Sequence, residues 1–178
     1  MFPDKRGVAR SADYLYGQSR YLYLERQTEN ILAQASVVRK RLGSMEKITN
    51  WSRITSQAND SGHVVVVMVD QEDCPYCREV EKEFFSAILA GGQYQGIVSI
   101  GKISIDAGET IIDQDGQEVS TREFLAEYET NWTPTVLFLD HQKREVADRL
   151  TGLLTPDYYV YYLERSINSA IRNSQNRS

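Results

Sequence analysis

The hydrophobic pattern of the chain predicts a sheet of buried strands with helices packed around it. The run from His63 to Val69 contains five valines, and an uninterrupted β-branched stretch is typical of a central strand that is covered on both faces. Two further strands are expected at 97–105 and 132–140, and residues 145–150 are expected to return antiparallel after a turn. These elements predict an α/β fold.

Apolar residues at helical spacing, together with start and stop signals, predict the helices between the strands. The pattern places one helix at 21–42, a second at 44–57 capped by Ser44, a third from Cys74 to Gly91-Gly92, and a short one that begins at Ser120. The last helix is expected to open on Thr155-Pro156. It should turn Val160, Leu163, Ile167 and Ile171 toward the sheet.

The remaining segments predict loops and termini. Residues 107–120 are polar and carry Asp115-Gly116, which indicates a hairpin or loop with its turn at that dipeptide. A calcium loop is disfavoured there, because Ile111 stands where the first ligand would be. The predicted organisation is an N-terminal arm and helix at 1–43, one domain at 44–174, and a disordered tail at 175–178.

Composition and charge argue against nucleic acid and membranes as binding partners. The chain has 178 residues, 41% of them hydrophobic, and a formal net charge of -5, so nucleic acid is not expected as a partner. No stretch approaches the ~20 apolar residues of a membrane span, so no stable membrane insertion is expected. The N-terminal residues lack the apolar core of a secretory signal. Either the protein is cytoplasmic, or a signal segment has been removed.

The strongest chemical signal is the sequence Cys74-Pro75-Tyr76-Cys77, which follows an acidic turn after the central strand. Cys74 falls at the predicted helix N-cap and Pro75 at the first helical position. A thiolate at this place faces unpaired backbone N–H groups and the positive end of the helix dipole, which lower the pKa of the thiol. Cys74 is therefore the predicted nucleophile and Cys77 the resolving thiol. Arg78 is expected to support the thiolate, whereas Glu72 and Asp73 oppose it.

Three other interpretations of the two cysteines are weaker. A zinc site needs further ligands, but there is no second cysteine pair, and His63 and His141 lie far away in sequence. A static structural disulfide with this spacing is disfavoured, and two inert buried thiols do not fit a motif at the carboxyl end of a strand. We therefore predict no metal site and no cofactor.

The order of these features resembles the thioredoxin fold over residues 45–172. The most specific points are the Cys74–Cys77 motif, the Thr133-Pro134 dipeptide and Gly152 after the hairpin. The motif is of the glutaredoxin type. The segments Val119-Ser120, 132–135 and Thr151-Gly152 are more similar to secreted bacterial thioredoxin-like proteins. The resemblance implies a cis Pro134 beside the nucleophilic sulfur, with Trp132, Thr133 and Gly152 lining a substrate groove. It also gives Pro75 and Tyr76 supporting roles in the motif.

Two positions depart from the thioredoxin pattern. Thioredoxins carry a buried acid six residues before the nucleophile, where this chain has Met68, and a tryptophan just before it, where this chain has Asp73. The buried acid helps to move protons to and from the resolving thiol, so Cys77 must exchange its proton with water or another group. Glu79 and Glu83 are candidates, although a surface position is expected for both.

The resemblance implies a thiol:disulfide oxidoreductase of the bacterial periplasm that reduces or isomerises disulfides of a protein partner and is served by an upstream electron donor. A glutathione-linked reductase is the second hypothesis, suggested by the motif. The third is a non-catalytic module that docks a partner through its N-terminal helix. Residues 21–42 also offer a homodimer contact. The redox direction does not follow from the residues.

Overall fold

The computed structural model describes residues 26–28, 31, 34, 43–56, 62–130 and 132–176. The chain divides into two units, Met1–Arg41 and Leu42–Ser178, and the fold described below is that of the second. Within the helix predicted at 21–42, residues 26–28, 31 and 34 are helical. The rest of that helix, the N-terminal arm and the homodimer contact lie outside the described residues.

Within the described residues, five strands form a mixed sheet in the order β1-β3-β2-β6-β7. Strand β2 lies in the centre, parallel to β3 and antiparallel to β6, as its valine run predicted. Strands β4 and β5 form a separate antiparallel hairpin, with Gly116 at its turn. The strands are β1 Glu46–Lys47, β2 Val64–Asp70, β3 Val98–Ser104, β4 Thr110–Ile112, β5 Glu118–Ser120, β6 Thr135–Leu139 and β7 Leu150–Thr151.

The helices pack on both faces of this sheet. A continuous helical stretch follows the cysteine motif and includes a π-helical segment at Val80–Phe85 between two α-helical parts. A short 3-10 turn at Ala126–Tyr128 follows the helix that Ser120 caps through its hydroxyl. The α-helices are α1 Trp51–Ser56, α2 Pro75–Glu79, α3 Ser86–Gly91, α4 Thr121–Phe124 and α5 Pro156–Gln175.

Strand β2 contributes to two hydrophobic cores, one on each face. Val64, Val66 and Met68 enter the larger core, which contains Val80, Phe85 and residues of α5. The alternate side chains enter the smaller core with Trp51 and Phe124; they are Val65, Val67 and Val69. All six side chains are completely buried. The expectation of a strand covered on both faces is therefore confirmed.

The helix predicted at 44–57 is shorter than expected, because its first half pairs with the sheet. Residues 46–47 form β1 against Gly101 and Lys102 of β3. Gly101 allows this close approach, since a Cβ there would lie 2.6 Å from Ile48 Cγ1 and 2.8 Å from the Glu46 carbonyl oxygen. Asn50, rather than Ser44, caps the helix, and its Oδ1 accepts the Arg53 N–H at 2.8 Å.

The C-terminal part also differs in detail. Regular pairing of the return segment is confined to β7 and a bridge between Leu139 and Glu145. Helix α5 buries Leu163 and Ile167 as predicted, and Ile171 packs partly buried against the same core, but Tyr159 is buried in place of Val160. Thr155 precedes it without a side-chain cap hydrogen bond. The helix continues through Gln175, because Ser174 is buried on the same face, one residue into the predicted tail.

Among the described residues, no helix has the length and apolar character that crossing a membrane requires.

Candidate active site

The two cysteines of the motif form a disulfide at the start of α2. Cys74 is the N-cap in an extended conformation, and Pro75 occupies the first turn, as predicted. The Cys77 backbone N–H donates to Cys74 Sγ at 3.1 Å. Because this donor belongs to the positive end of the helix, it will stabilise a negative charge on the Cys74 sulfur when the disulfide is reduced.

Cys74 is more buried than an attacking thiol at this place in the sequence predicts. Cys74 is 5% exposed and Cys77 is 2% exposed, so Cys77 is the deeper one, but Cys74 is far from freely accessible. The Cys74 sulfur is drawn into the first turn by its bond to Cys77 and by the N–H that it accepts. Tyr76 and Trp132 are much more exposed, at 60% and 72%.

Two side chains, Arg78 and Asp106, hold the loop that leads into the motif. Arg78 Nη1 donates to the Glu72 carbonyl oxygen at 3.0 Å, and the Glu72 N–H donates to Asp106 Oδ2 at 2.8 Å. The hydroxyl of Ser104 and then the Glu72 N–H hold the pKa of Asp106 below its ordinary value. Arg78 is thus engaged with the loop backbone, and its support of a Cys74 thiolate stays a prediction.

The proline loop predicted to face the motif is connected to both Gly152 and the motif loop. The Thr133–Pro134 peptide bond is cis, and Gly152 has a positive φ of 71°. The Gly152 N–H donates to the Pro134 carbonyl oxygen at 2.7 Å. The Thr133 hydroxyl donates to Oε1 of Gln71, three residues before Cys74, at 3.2 Å. These bonds join the three predicted groove positions 133, 134 and 152 to the motif loop.

A charged cluster that sequence reasoning missed joins the end of β2, strand β3 and the helical stretch that follows the motif. Lys102 Nζ lies 2.7 Å from Glu81 Oε2 and 3.5 Å from Asp70 Oδ2. Met68, at the position of the thioredoxin acid, is completely buried and lies opposite Lys102 in the β2–β3 register. Burial raises the pKa of Asp70 above its ordinary value, although Lys102 opposes the shift.

The signals that could have revealed this cluster were weak. Asp70 looked like part of the acidic turn, but it is the last residue of β2. Glu81 follows Cys77 by four residues, which places both on neighbouring turns of one helical face. The candidates named from sequence, Glu79 and Glu83, are both exposed.

The fold and the site together define a class of protein: a mixed α/β sheet with a CXXC disulfide at the N-terminus of the helix that follows the central strand. The family model described as thioredoxin-like domain matches residues 52–167. The chain belongs to this thioredoxin-like family.

Solved thioredoxin structures align with most of the chain at low sequence identity. Thioredoxin f from spinach chloroplast is 14% identical, covering 72% of this chain and 94% of its own, with a TM-score of 0.49. A thioredoxin h from poplar is 21% identical, covering 68% and 96%, with a TM-score of 0.46. The thioredoxin of Fasciola hepatica is 20% identical, covering 70% and 97%, with a TM-score of 0.44. No curated protein matches the chain.

Proposed function

We propose that this protein is a thiol:disulfide oxidoreductase that reduces or isomerises disulfides of a protein partner, with Cys74 as the nucleophile. The observation that carries the proposal is the Cys74–Cys77 disulfide at a helix N-terminus, with the Cys77 N–H 3.1 Å from Cys74 Sγ. Such a donor stabilises the thiolate, and the thiolate is the attacking species in disulfide exchange.

The proposed reduction proceeds in two exchanges. The Cys74 thiolate attacks one sulfur of the partner's disulfide, so that a mixed disulfide forms and the other partner sulfur leaves as a thiolate. Cys77 then loses its proton and attacks Cys74 Sγ, which closes the Cys74–Cys77 bond and releases the second partner thiolate. Two electrons pass to the partner. An upstream donor must reduce the pair again, and isomerisation uses the first exchange and its reversal.

The surface around the sulfurs supports a protein substrate. Tyr76, within the motif, and Trp132, which precedes the Thr133-Pro134 dipeptide, are both exposed, and aromatic residues are frequent anchors in protein interfaces. Thr133 and Pro134 follow Trp132 in a loop that is bonded to the motif loop through Gln71. An extended partner segment laid along this loop would bring its disulfide to Cys74.

An insulin-reduction assay with two matched variants tests the proposal. Cys74→Ser should abolish turnover, because no attacking thiolate remains. Cys77→Ser should also lose turnover, but it should accumulate a mixed disulfide at Cys74, visible by intact mass spectrometry and removed by dithiothreitol. Wild-type activity in both variants would refute the enzymatic proposal. A mixed disulfide at Cys77 in Cys74→Ser, without one in Cys77→Ser, would reverse the two roles.

A glutathione-linked reductase is the second candidate, supported by the glutaredoxin-type sequence Cys74-Pro75-Tyr76-Cys77. Turnover of a small glutathione mixed disulfide with glutathione as the reductant would favour it over a protein-directed enzyme. A non-catalytic docking role for residues 1–43 rests on a segment that lies largely outside the described residues. That role would leave the dithiol dispensable. The periplasmic location is proposed from the resemblance to secreted bacterial proteins, with the cytoplasm as the alternative.

A further inference from the structure

Each turnover of the proposed reaction must remove a proton from the buried thiol of Cys77. Cys77 attacks only after its thiol has lost a proton, but the residue is 2% exposed and is followed on the helix by completely buried Val80. Bulk water has poor access to such a thiol, and burial in apolar surroundings disfavours its charged form. A proton acceptor close to Cys77 would accelerate the second exchange.

The cluster of Asp70, Glu81 and Lys102 provides charged groups on the correct side of the sheet. Asp70 shares its strand face with Met68, which packs in the same core as Val80. Only three residues separate Asp70 from Cys74, so it lies at the base of the motif loop. Glu81 lies one helical turn beyond Cys77. Lys102 touches both carboxylates, which joins the strand end to the helix.

The two carboxylates are not equivalent. Both oxygens of Glu81 are engaged, Oε1 by the Met45 N–H at 3.3 Å and Oε2 by Lys102 Nζ at 2.7 Å. Asp70 has a looser contact with Lys102, 3.5 Å from Oδ2, and its side chain is 15% exposed. Asp70 is therefore the carboxylate that can take up a proton with the smaller loss of hydrogen bonds.

We propose that Asp70 accepts the Cys77 proton during the second exchange, directly or through one water molecule, while Lys102 and Glu81 are positioning residues that hold its carboxylate beneath the motif. The inference rests on the proposed oxidoreductase function. As the proton reaches Asp70, the Cys77 thiolate attacks Cys74 Sγ and the bond between Cys74 and the partner sulfur breaks. The partner leaves as a thiolate, and Asp70 returns its proton to solvent or to that thiolate.

The charges that face Asp70 suit it to this exchange. Burial raises its pKa most strongly, Lys102 lowers it, and the carboxylates of Glu81 and Asp106 raise it again. A carboxylate whose pKa is raised in this way is a stronger base than an exposed one. Glu79 and Glu83, which are exposed on the same helix, lack this environment.

The test separates the two exchanges by mixing the reduced protein with a small aromatic disulfide whose released thiolate absorbs visible light. The first release reports attack by Cys74, and the second reports attack by Cys77. Asp70→Asn should leave the first rate within about twofold but slow the second by about 100-fold or more, within the range of general base catalysis. Glu79→Gln and Glu83→Gln are the matched controls and should change neither rate.

The pH dependence distinguishes a proton acceptor from a packing residue. The second rate of the wild-type protein should rise as Asp70 loses its proton, and Lys102→Met should move this rise to higher pH, because the lysine lowers the pKa of Asp70. Far-UV circular dichroism and the urea midpoint check that each variant is folded. If Asp70→Asn does not fold, the pH profile of the second rate in Lys102→Met decides whether Asp70 accepts the proton.

Unchanged second rates in folded Asp70→Asn, or an unshifted profile in Lys102→Met, would overturn the inference while leaving the oxidoreductase intact. Slowing by Glu79→Gln or Glu83→Gln equal to that of Asp70→Asn would also overturn it. Loss of the first release in the wild-type protein would instead refute the proposed function, and the inference with it.

Discussion

Reduction of the Cys74–Cys77 disulfide is expected to lower the free energy of unfolding of the domain by about 1 kcal/mol. The bond closes a short loop with a sequence separation of 3, for which the chain-entropy relation gives a stabilisation of about 2 kcal/mol. In the reduced protein, the Cys77 N–H bond to Cys74 Sγ becomes charge-assisted. A hydrogen bond to a charged group exceeds a neutral one by about 1 kcal/mol, so about half of the disulfide's contribution is offset.

This stability difference reports the redox direction. Folding and disulfide formation make up a thermodynamic cycle. The difference in unfolding free energy between the oxidised and reduced forms therefore equals the difference in the free energy of disulfide formation between the folded and the unfolded chain. About 1 kcal/mol corresponds to ~20 mV toward a more reducing potential. The folded protein should therefore be a slightly better reductant than its own unfolded chain, which agrees with the proposed reducing or isomerising direction.

Urea unfolding followed by far-UV circular dichroism, with and without dithiothreitol, measures the difference. The double variant Cys74→Ser/Cys77→Ser is the control and should not respond to the reductant. A reduced form that is more stable than the oxidised form would refute the reasoning. It would mean that the thiolate is stabilised more than the disulfide, as in a protein that oxidises its partners.

Three further predictions concern packing, docking and pH. Gly101→Ala should lower the free energy of unfolding by about 1–3 kcal/mol, measured with urea, because the new Cβ would meet the Glu46 carbonyl oxygen and the Ile48 side chain; an unchanged midpoint would contradict the tight β1–β3 contact. Trp132→Ala should leave stability unchanged, since the side chain is exposed, but should reduce kcat/KM for a protein disulfide about 10-fold while sparing a small aromatic disulfide. Equal losses on both substrates would argue against docking. The pKa of Asp70 is raised in the folded state above its ordinary value of 3.8, so its contribution to stability is full below that value and is lost as pH rises through the folded pKa. Between pH 3.8 and the folded pKa of Asp70, the free energy of unfolding of Asp70→Asn should therefore fall less with rising pH than that of the wild-type protein. A steeper fall of its urea midpoint would contradict the raised pKa of Asp70.

Features that depend on neighbouring residues could be predicted from the sequence. A run of five valines, interrupted only by Met68, predicts a strand buried on both faces, and β2 is such a strand. Cys74 and Pro75 predict the first residues of a helix, because the proline needs no N–H partner there and fixes a helical φ. The proposed nucleophilic role of Cys74 rests on that same local geometry. The Asp115-Gly116 dipeptide likewise predicts the turn between β4 and β5, where Gly116 has a positive φ.

Features that depend on residues far apart in the chain could be seen only in the folded structure. Residues 46–47 are a strand because Gly101, more than fifty positions later, leaves room for them. Helical spacing specifies an apolar stripe but not its rotation, so the choice of Tyr159 over Val160 followed from packing against the sheet. The cluster of Asp70, Glu81 and Lys102 exists because the register between β2 and β3 and the path of the following helix bring together three charges that look like surface residues in the sequence.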